Sequence, residues 1–195
     1  MKVDSDGNIS GFSDFPVLTT ERLRLREIRL DDAEFWIRNF SELEVVELTA
    51  YEPPKDLEAA KQEIQTYCID KFRNDSGIRW GIELKGSTGL IGTLGYYKWV
   101  KAGGFSAEMG YDLLKEFRRK GIMKEAMTAV IDFGFQHMRL NRIQVLTDPR
   151  NTASMALAKS LGFTKEGTIR DSQFFRGRFV DDVIFSLLRR EWKRP

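Results

Sequence analysis

The order of patterns along the 195 residues predicts a mixed α/β domain, on three observations. Runs in which apolar side chains alternate with period 2 trade places with runs of helical spacing, the mark of strands and helices layered around a core. A nearly continuous apolar run, R-I-Q-V-L-T at 142–147, follows a long amphipathic stretch, as expected of a strand lying parallel to the one before that helix. A composition of 42% hydrophobic and 31% charged residues at this length suits a single core.

Taken in order, residues 1–17 are polar and irregular, with Gly7, Gly11 and Pro16, and are expected to form an extension or edge cover; the domain is expected to span 18–195. T-E-R-L-R-L-R-E-I at 20–28 alternates Leu23, Leu25 and Glu27 against Arg22, Arg24 and Arg26, a strand with one charged face. Asp31 is placed to cap a helix carrying Ala33, Phe35, Trp36 and Phe40. An acidic segment, Glu42 to Glu52, precedes a loop with Pro53 and Pro54, and a second helix runs from Asp56 to about Arg73. Strands at 79–85 and 90–100 are joined by G-S-T-G as a hairpin, and Gly103-Gly104 turns the chain into a strand with Met109, Tyr111 and Leu113. A helix from Ile122 to about Met138 and the 142–147 strand follow. Pro149 forces an exit, Ala153 to Leu161 is helical, and Gly162 stops that helix. Residues 164–174 and 179–188 close the fold as an antiparallel pair around Arg176-Gly177.

Several classes are excluded. No run approaches a membrane span, and the opening M-K-V-D-S-D-G-N-I-S has no apolar signal-peptide core, so a cytoplasmic location is expected. A lone Cys68 and a lone His137 exclude a disulfide and a cysteine- or histidine-rich metal site; no metal is expected. The net charge of +2 does not argue for nucleic acid, although basic residues cluster at Arg118–Lys120 and Arg189–Arg194. Asp181 and Asp182 are adjacent on a strand, point to opposite faces, and are not expected to act together.

The most informative stretch is E-M-G-Y-D-L-L-K-E-F-R-R-K-G-I-M-K-E, residues 108–125. A strand runs into a basic turn with Gly121 that opens a helix, where unpaired amides and the positive end of the helix dipole meet three cations. Such a turn suits a phosphate or pyrophosphate.

The spacing Arg118-x-x-Gly121-x-Met123 resembles the acyl-CoA pyrophosphate loop of the GNAT N-acetyltransferase superfamily. Residues 148–163, D-P-R-N-T-A-S-M-A-L-A-K-S-L-G-F, resemble its second motif. With T-E-R-L-R-L-R and D-D-A-E near the start, the chain resembles the RimJ/RimL-like branch over roughly residues 18–190. The resemblance implies a strongly twisted, mostly antiparallel sheet of about seven strands flanked by about four helices, with strands 4 and 5 splayed to admit acetyl-CoA. It implies that backbone groups of Leu113 and Leu114 meet the pantetheine arm. Arg118, Arg119, Lys120, Gly121, Ile122, Met123 and Lys124 would cradle the pyrophosphate, Asn151 would bond the pantetheine, and Ser154 would face the sulfur.

Transfer needs a neutral amine, a donor for the oxyanion and a proton for the leaving thiolate. Glu108 is the candidate base, Ser154 the candidate acid, and a backbone N–H near Leu113 the candidate oxyanion donor. Ala158 stands where many family members carry a tyrosine acid, and Gln173 where the branch carries a glutamate base. Glu44, Glu47 and Glu52 border the implied acceptor pocket. The implied acceptor is an amine, a protein or peptide N-terminus such as that of a ribosomal protein. A small amine (polyamine, amino acid or antibiotic) and a CoA-binding regulatory module without turnover are the alternatives. No direct nucleic-acid or membrane partner is expected, and a homodimer is plausible by analogy.

Overall fold

The structure, a computed structural model, describes residues 2–3, 9–10, 12–49, 51–103 and 105–194. Gly7, Gly11 and Gly104, on which sequence readings fell, lie outside the described residues. A two-stranded ribbon, β1 (Lys2–Val3) with β2 (Ile9–Ser10), precedes the main sheet. The sheet has eight strands: β3 (Leu18–Thr19), β4 (Leu23–Glu27), β5 (Ile78–Leu84), β6 (Gly92–Val100), β7 (Ser106–Leu113), β8 (Arg142–Thr147), β9 (Thr164–Phe175) and β10 (Arg178–Leu188). Their spatial order is β3-β4-β5-β6-β7-β8-β10-β9. Every neighbouring pair is antiparallel except β7 and β8. That one parallel pair follows from the helix between them, since a helical crossover returns the chain in the same direction.

The helices are α1 (Ala33–Phe40), α2 (Leu43–Thr49), α3 (Leu57–Ile64), α4 (Lys71–Arg73), α5 (Ile122–Gln136) and α6 (Thr152–Ser160). Helix α5 crosses between β7 and β8 and buries Ala126, Met127, Val130 and Ile131 completely. They join one core cluster with Trp80, Leu94, Tyr96, Met109 and Ile143. Gly134 admits the close approach of β6: a Cβ there would meet the Tyr96 hydroxyl at 2.5 Å, and that hydroxyl donates to the Val130 carbonyl at 2.9 Å. A second cluster joins Trp36 and Phe40 of α1 to Ala60 and Ile64 of α3 and to Cys68 and Leu90. Burial pushes the Cys68 thiol up to about 12, as befits a packing residue.

Three local features depart from the sequence reading. Asp31 lies in a 3-10 turn, Leu30–Asp32, so Asp32 and not Asp31 immediately precedes α1; the Asp32 carboxylate accepts from Arg29 N and pairs with Arg26 at 2.8 Å. The helix begun at Asp56 widens into a π-helical stretch, Gln65–Asp70, before α4; its start is as expected, with Asp56 accepting from Ala59 N at 2.8 Å, a cap that contributes about 1 kcal/mol. The acidic segment holds a helix of its own, α2. Ahead of the sheet, Phe12 and Phe15 pack on the main core and the Pro16 carbonyl accepts from Trp80 Nε1 at 2.6 Å, so the end of the extension covers the core. Among the described residues, no helix is long and apolar enough to cross a membrane.

Candidate active site

The parallel pairing of β7 with β8 is short. It runs from Ser106 opposite Arg142 to Glu108 opposite Gln144 and then stops, although β7 continues to Leu113 and β8 to Thr147. Beyond Glu108 the strands diverge, while β8 stays paired with β10 as far as Thr147 opposite Val183. The gap opens into a cavity of about 510 Å³ lined by Glu108–Asp112 of β7, Val145–Asp148, Asn151 and Ser154. On its other sides stand Arg79, Tyr97, Lys98, Gln173 and Asp182.

Strand alternation decides which backbone groups meet the gap. Leu114 donates its N–H to the Ile91 carbonyl at 2.9 Å and accepts from Phe117 N at 2.9 Å, so both of its peptide groups serve the fold. At Leu113, by contrast, alternation turns the N–H toward β8. The Leu113 carbonyl already accepts from Arg118 Nε at 2.8 Å.

Past Leu113, a 3-10 turn at Lys115–Phe117 leads into the basic loop. Arg119 (φ 60°) and Gly121 (φ 73°) both occupy the left-handed region, which tightens the chain before α5. Gly121 sits at the N-cap without a side-chain cap, so the first amides of α5 keep their hydrogen-bonding capacity. Ile122 and Met123 bury their side chains in the core and present only backbone to a guest. Arg118 braces the loop: its guanidinium bonds the Leu113 carbonyl and pairs with Glu42 at 2.7 Å. Arg22, read in the sequence only as part of a strand's charged face, bonds the Lys120 carbonyl at 3.0 Å and pairs with Glu125 at 2.6 Å. Burial pushes the Glu125 carboxyl up, but hydrogen bonds from Thr20 and Arg22 outweigh it and hold the group below its ordinary value.

Glu108 is 4% exposed. Its Oε2 accepts from Lys98 Nζ at 3.0 Å and from Gln144 Nε2 at 3.2 Å. Lys98 reaches it because β6 is irregular between Tyr97 and Val100, with Lys98 itself at φ 51°. A left-handed non-glycine residue is uncommon, and here it stands against a cavity. Burial and the neighbouring Glu108 carboxylate raise the Tyr97 phenol above its ordinary value.

Across the gap, Asn151 caps α6 by accepting from Ser154 N at 3.0 Å, which leaves its Nδ2 as the donor for a guest. Ser154 is 9% exposed, and its Oγ lies 2.8 Å from the Tyr111 hydroxyl. Burial pushes Tyr111 up to about 12, which keeps the phenol protonated. Ala158 is fully buried in the core and does not line the cavity. The tyrosine beside Ser154 comes from β7 instead. Sequence spacing gave no sign of it, because Tyr111 and Ser154 are 43 positions apart.

A further polar set belongs to the cavity wall. Asp112 pairs with Arg79 and accepts from Thr93 Oγ1 at 2.7 Å and from Asn39 Nδ2. Of the acidic-segment residues, Glu47 borders only a small adjoining depression and Glu52 pairs with Arg176 at 3.3 Å; neither lines the main cavity. The Glu44 side chain lies outside the described residues. From that segment the cavity receives Leu48, Thr49 and Tyr51. Among the described residues no group of three or more His, Cys, Asp or Glu is arranged to hold a metal.

Residues 22–164 match the acetyltransferase (GNAT) domain family. The chain belongs to that family. An uncharacterized N-acetyltransferase of Bacillus licheniformis, p20, is 38% identical over 90% of this chain and 97% of its own length. The ribosomal-protein-S5-alanine acetyltransferase of Vibrio fischeri is 25% identical with a TM-score of 0.76, over 91% of this chain and 99% of that one. RimJ of Mycobacterium smegmatis, solved with CoA-disulfide, shares the fold at 23% identity and a TM-score of 0.74, over 89% of this chain and 86% of that one. The eight-stranded, mostly antiparallel sheet with its splay is the GNAT fold, and the chain is a GNAT-type acetyltransferase. The eighth strand, beyond the seven expected, is the two-residue β3, too short to carry a period.

Proposed function

We infer that this acetyltransferase moves an acetyl group from acetyl-CoA to the α-amine of a protein or peptide N-terminus. The reading rests chiefly on the gap between β7 and β8, with Glu108 on one strand and the Tyr111–Ser154 pair spanning the divergence. The residues present suit acetyl-CoA. A Leu113 amide directed into the gap, the free Nδ2 of Asn151 and the uncapped amides beyond Gly121 succeed one another along β7 and the starts of α6 and α5. From Glu108 to Leu113 the strand covers about 17 Å, a suitable length for an extended arm. The peptide acceptor draws support from the Vibrio fischeri relative, whose own acceptor is a ribosomal-protein alanine.

In this mechanism the amine nitrogen forms the C–N bond at the acetyl carbonyl carbon and the C–S bond breaks. Glu108 takes the amine proton through water. Ser154 gives its hydroxyl proton to the departing thiolate and regains one from solvent, while Tyr111, held protonated, donates to Ser154 Oγ and keeps the Ser154 O–H turned toward the sulfur. Holding the reactants side by side supplies much of the acceleration. The test is thiol release from acetyl-CoA with peptides bearing N-terminal Ala, Ser or Met, set against polyamines, amino acids and aminoglycosides. Turnover with the peptides supports this reading; turnover confined to small amines replaces it.

A further inference from the structure

Four carboxylates face the cavity: Glu108, Asp112, Asp148 and Asp182. Three have a cation at hand: Lys98 at 3.0 Å from Glu108, Arg150 at 2.7 Å from Asp148, and Arg79 on Asp112. Asp182 differs. It is 5% exposed, and among the described residues it forms no ion pair. Its only hydrogen bond there is a neutral one, from Gln173 Nε2 to Oδ2 at 2.9 Å. The other oxygen has no protein partner, on a side chain that lines the cavity. A carboxylate whose open oxygen faces the cavity, with no cation beside it, can accept a charge-assisted hydrogen bond from an ammonium group.

The position in the fold agrees. Asp182 sits on β10 beside Val183, the residue opposite Thr147 where β8 ends. Tyr97 lines the same cavity as Asp182 and Glu108. Asp181, the neighbour of Asp182, accepts from Asp171 N at 2.9 Å and does not line the main cavity. Of the two adjacent aspartates, only Asp182 lines the main cavity. Gln173, at the position where the branch carries a glutamate, holds Asp182 without neutralising it.

We propose that Asp182 is the anchor for the acceptor's ammonium group: the amine docks as R–NH3+ on the open carboxylate oxygen before it gives up a proton at Glu108. Asp182 binds and orients the acceptor and takes no proton itself. The proposal rests on the acetyltransferase reading above and adds the residue that selects a cationic acceptor. It also gives Gln173 a role, that of fixing the carboxylate's rotamer.

The test uses two small probes that differ only at the reacting group, alaninamide, a cation, and lactamide, its neutral hydroxyl counterpart. Both are titrated into the protein saturated with CoA, in the wild type and in Asp182→Asn, a variant that keeps an oxygen for Gln173. The wild type is expected to prefer alaninamide by about 10- to 100-fold, the range of one charge-assisted hydrogen bond, and D182N to lose that preference with CoA affinity unchanged. An equal preference in D182N, or none in the wild type, overturns the proposal. If D182N does not fold, the wild-type carboxyl 13C resonance of Asp182 decides: it moves with alaninamide and not with lactamide, or the proposal fails. Because this readout is binding, a protein that discriminates the probes but acetylates no peptide would refute the peptide-acceptor reading alone.

Discussion

The basic turn and the proposed acceptor end of the cavity are built in different ways. The turn is a run of consecutive residues, Arg118–Lys124, whose useful groups are backbone amides shaped by two left-handed residues, Arg119 and Gly121. The acceptor end is assembled from side chains on four strands: Tyr97 of β6, Glu108 of β7, Gln173 of β9 and Asp182 of β10. Local sequence alone can write the first kind of site. The second exists only when the sheet has closed, and its chemistry depends on which charges end up paired.

The largest effect expected on this contrast is at the turn. Gly121→Trp should abolish CoA binding by calorimetry while leaving the fold standing. A Cβ at Gly121 meets nothing closer than Arg22 Nη2 at 3.5 Å, and the left-handed φ adds a strain of roughly 1 kcal/mol. Retained CoA affinity would mean that the anion site lies elsewhere. Next comes Glu108→Gln, which should lower kcat by about 100- to 10,000-fold with little change in CoA affinity. An unchanged kcat would remove Glu108 from the chemistry and make the acceptor end a binding surface only.

The Ser154 pair ranks below these. Ser154→Ala should lower kcat by about 100-fold, and Tyr111→Phe by about 10-fold, since phenylalanine removes only the hydrogen bond that orients the serine. Equal losses from the two variants would instead make the tyrosine the proton donor.

The smallest effect concerns the strands behind the acceptor end. Arg142 holds Glu166 in two hydrogen bonds, at 2.7 and 2.6 Å, and Ser186 adds a third at 2.7 Å. Arg142 and then Ser186 pull the Glu166 carboxyl from 4.5 to about 2. With the folded value depressed, the unfolded chain takes up this proton first as pH falls. The stabilisation is therefore complete above 4.5 and is lost toward 2. Urea titrations should show Glu166→Gln slightly less stable at neutral pH and less steep in its acid loss. The group is well exposed, so the effect is small.

Much of the fold was legible in residue patterns. Alternation marked β4, β5 and β6, and helical spacing marked α1, α3 and α5. The crossover through α5 implied the single parallel pair, and Arg176-Gly177 marked the last turn, where both residues have positive φ. The acidic segment hid α2, because it was read for its charges, although Leu43, Val45, Val46 and Leu48 place apolar residues at i, i+3 spacing. Asp31 missed its cap because Asp32 is drawn to Arg26, a partner on a strand. At the cavity, Glu108, Asn151 and Ser154 were placed by resemblance to motifs. Tyr111 was read as one face of a strand, and Asp182 was set aside with Asp181.

By itself, the sequence determined the alternation of elements, the left-handed turn at Gly121 and the amides that follow it, because all of these depend on residues a few positions apart. Only the tertiary structure decided that Tyr111 would meet Ser154, that Lys98 would turn onto Glu108, and that Asp182 would be buried without a cation among the described residues. Those outcomes depend on which strands become neighbours and where their pairing ends. A carboxylate's chemistry is then set by the charges that the closed sheet brings to it or withholds.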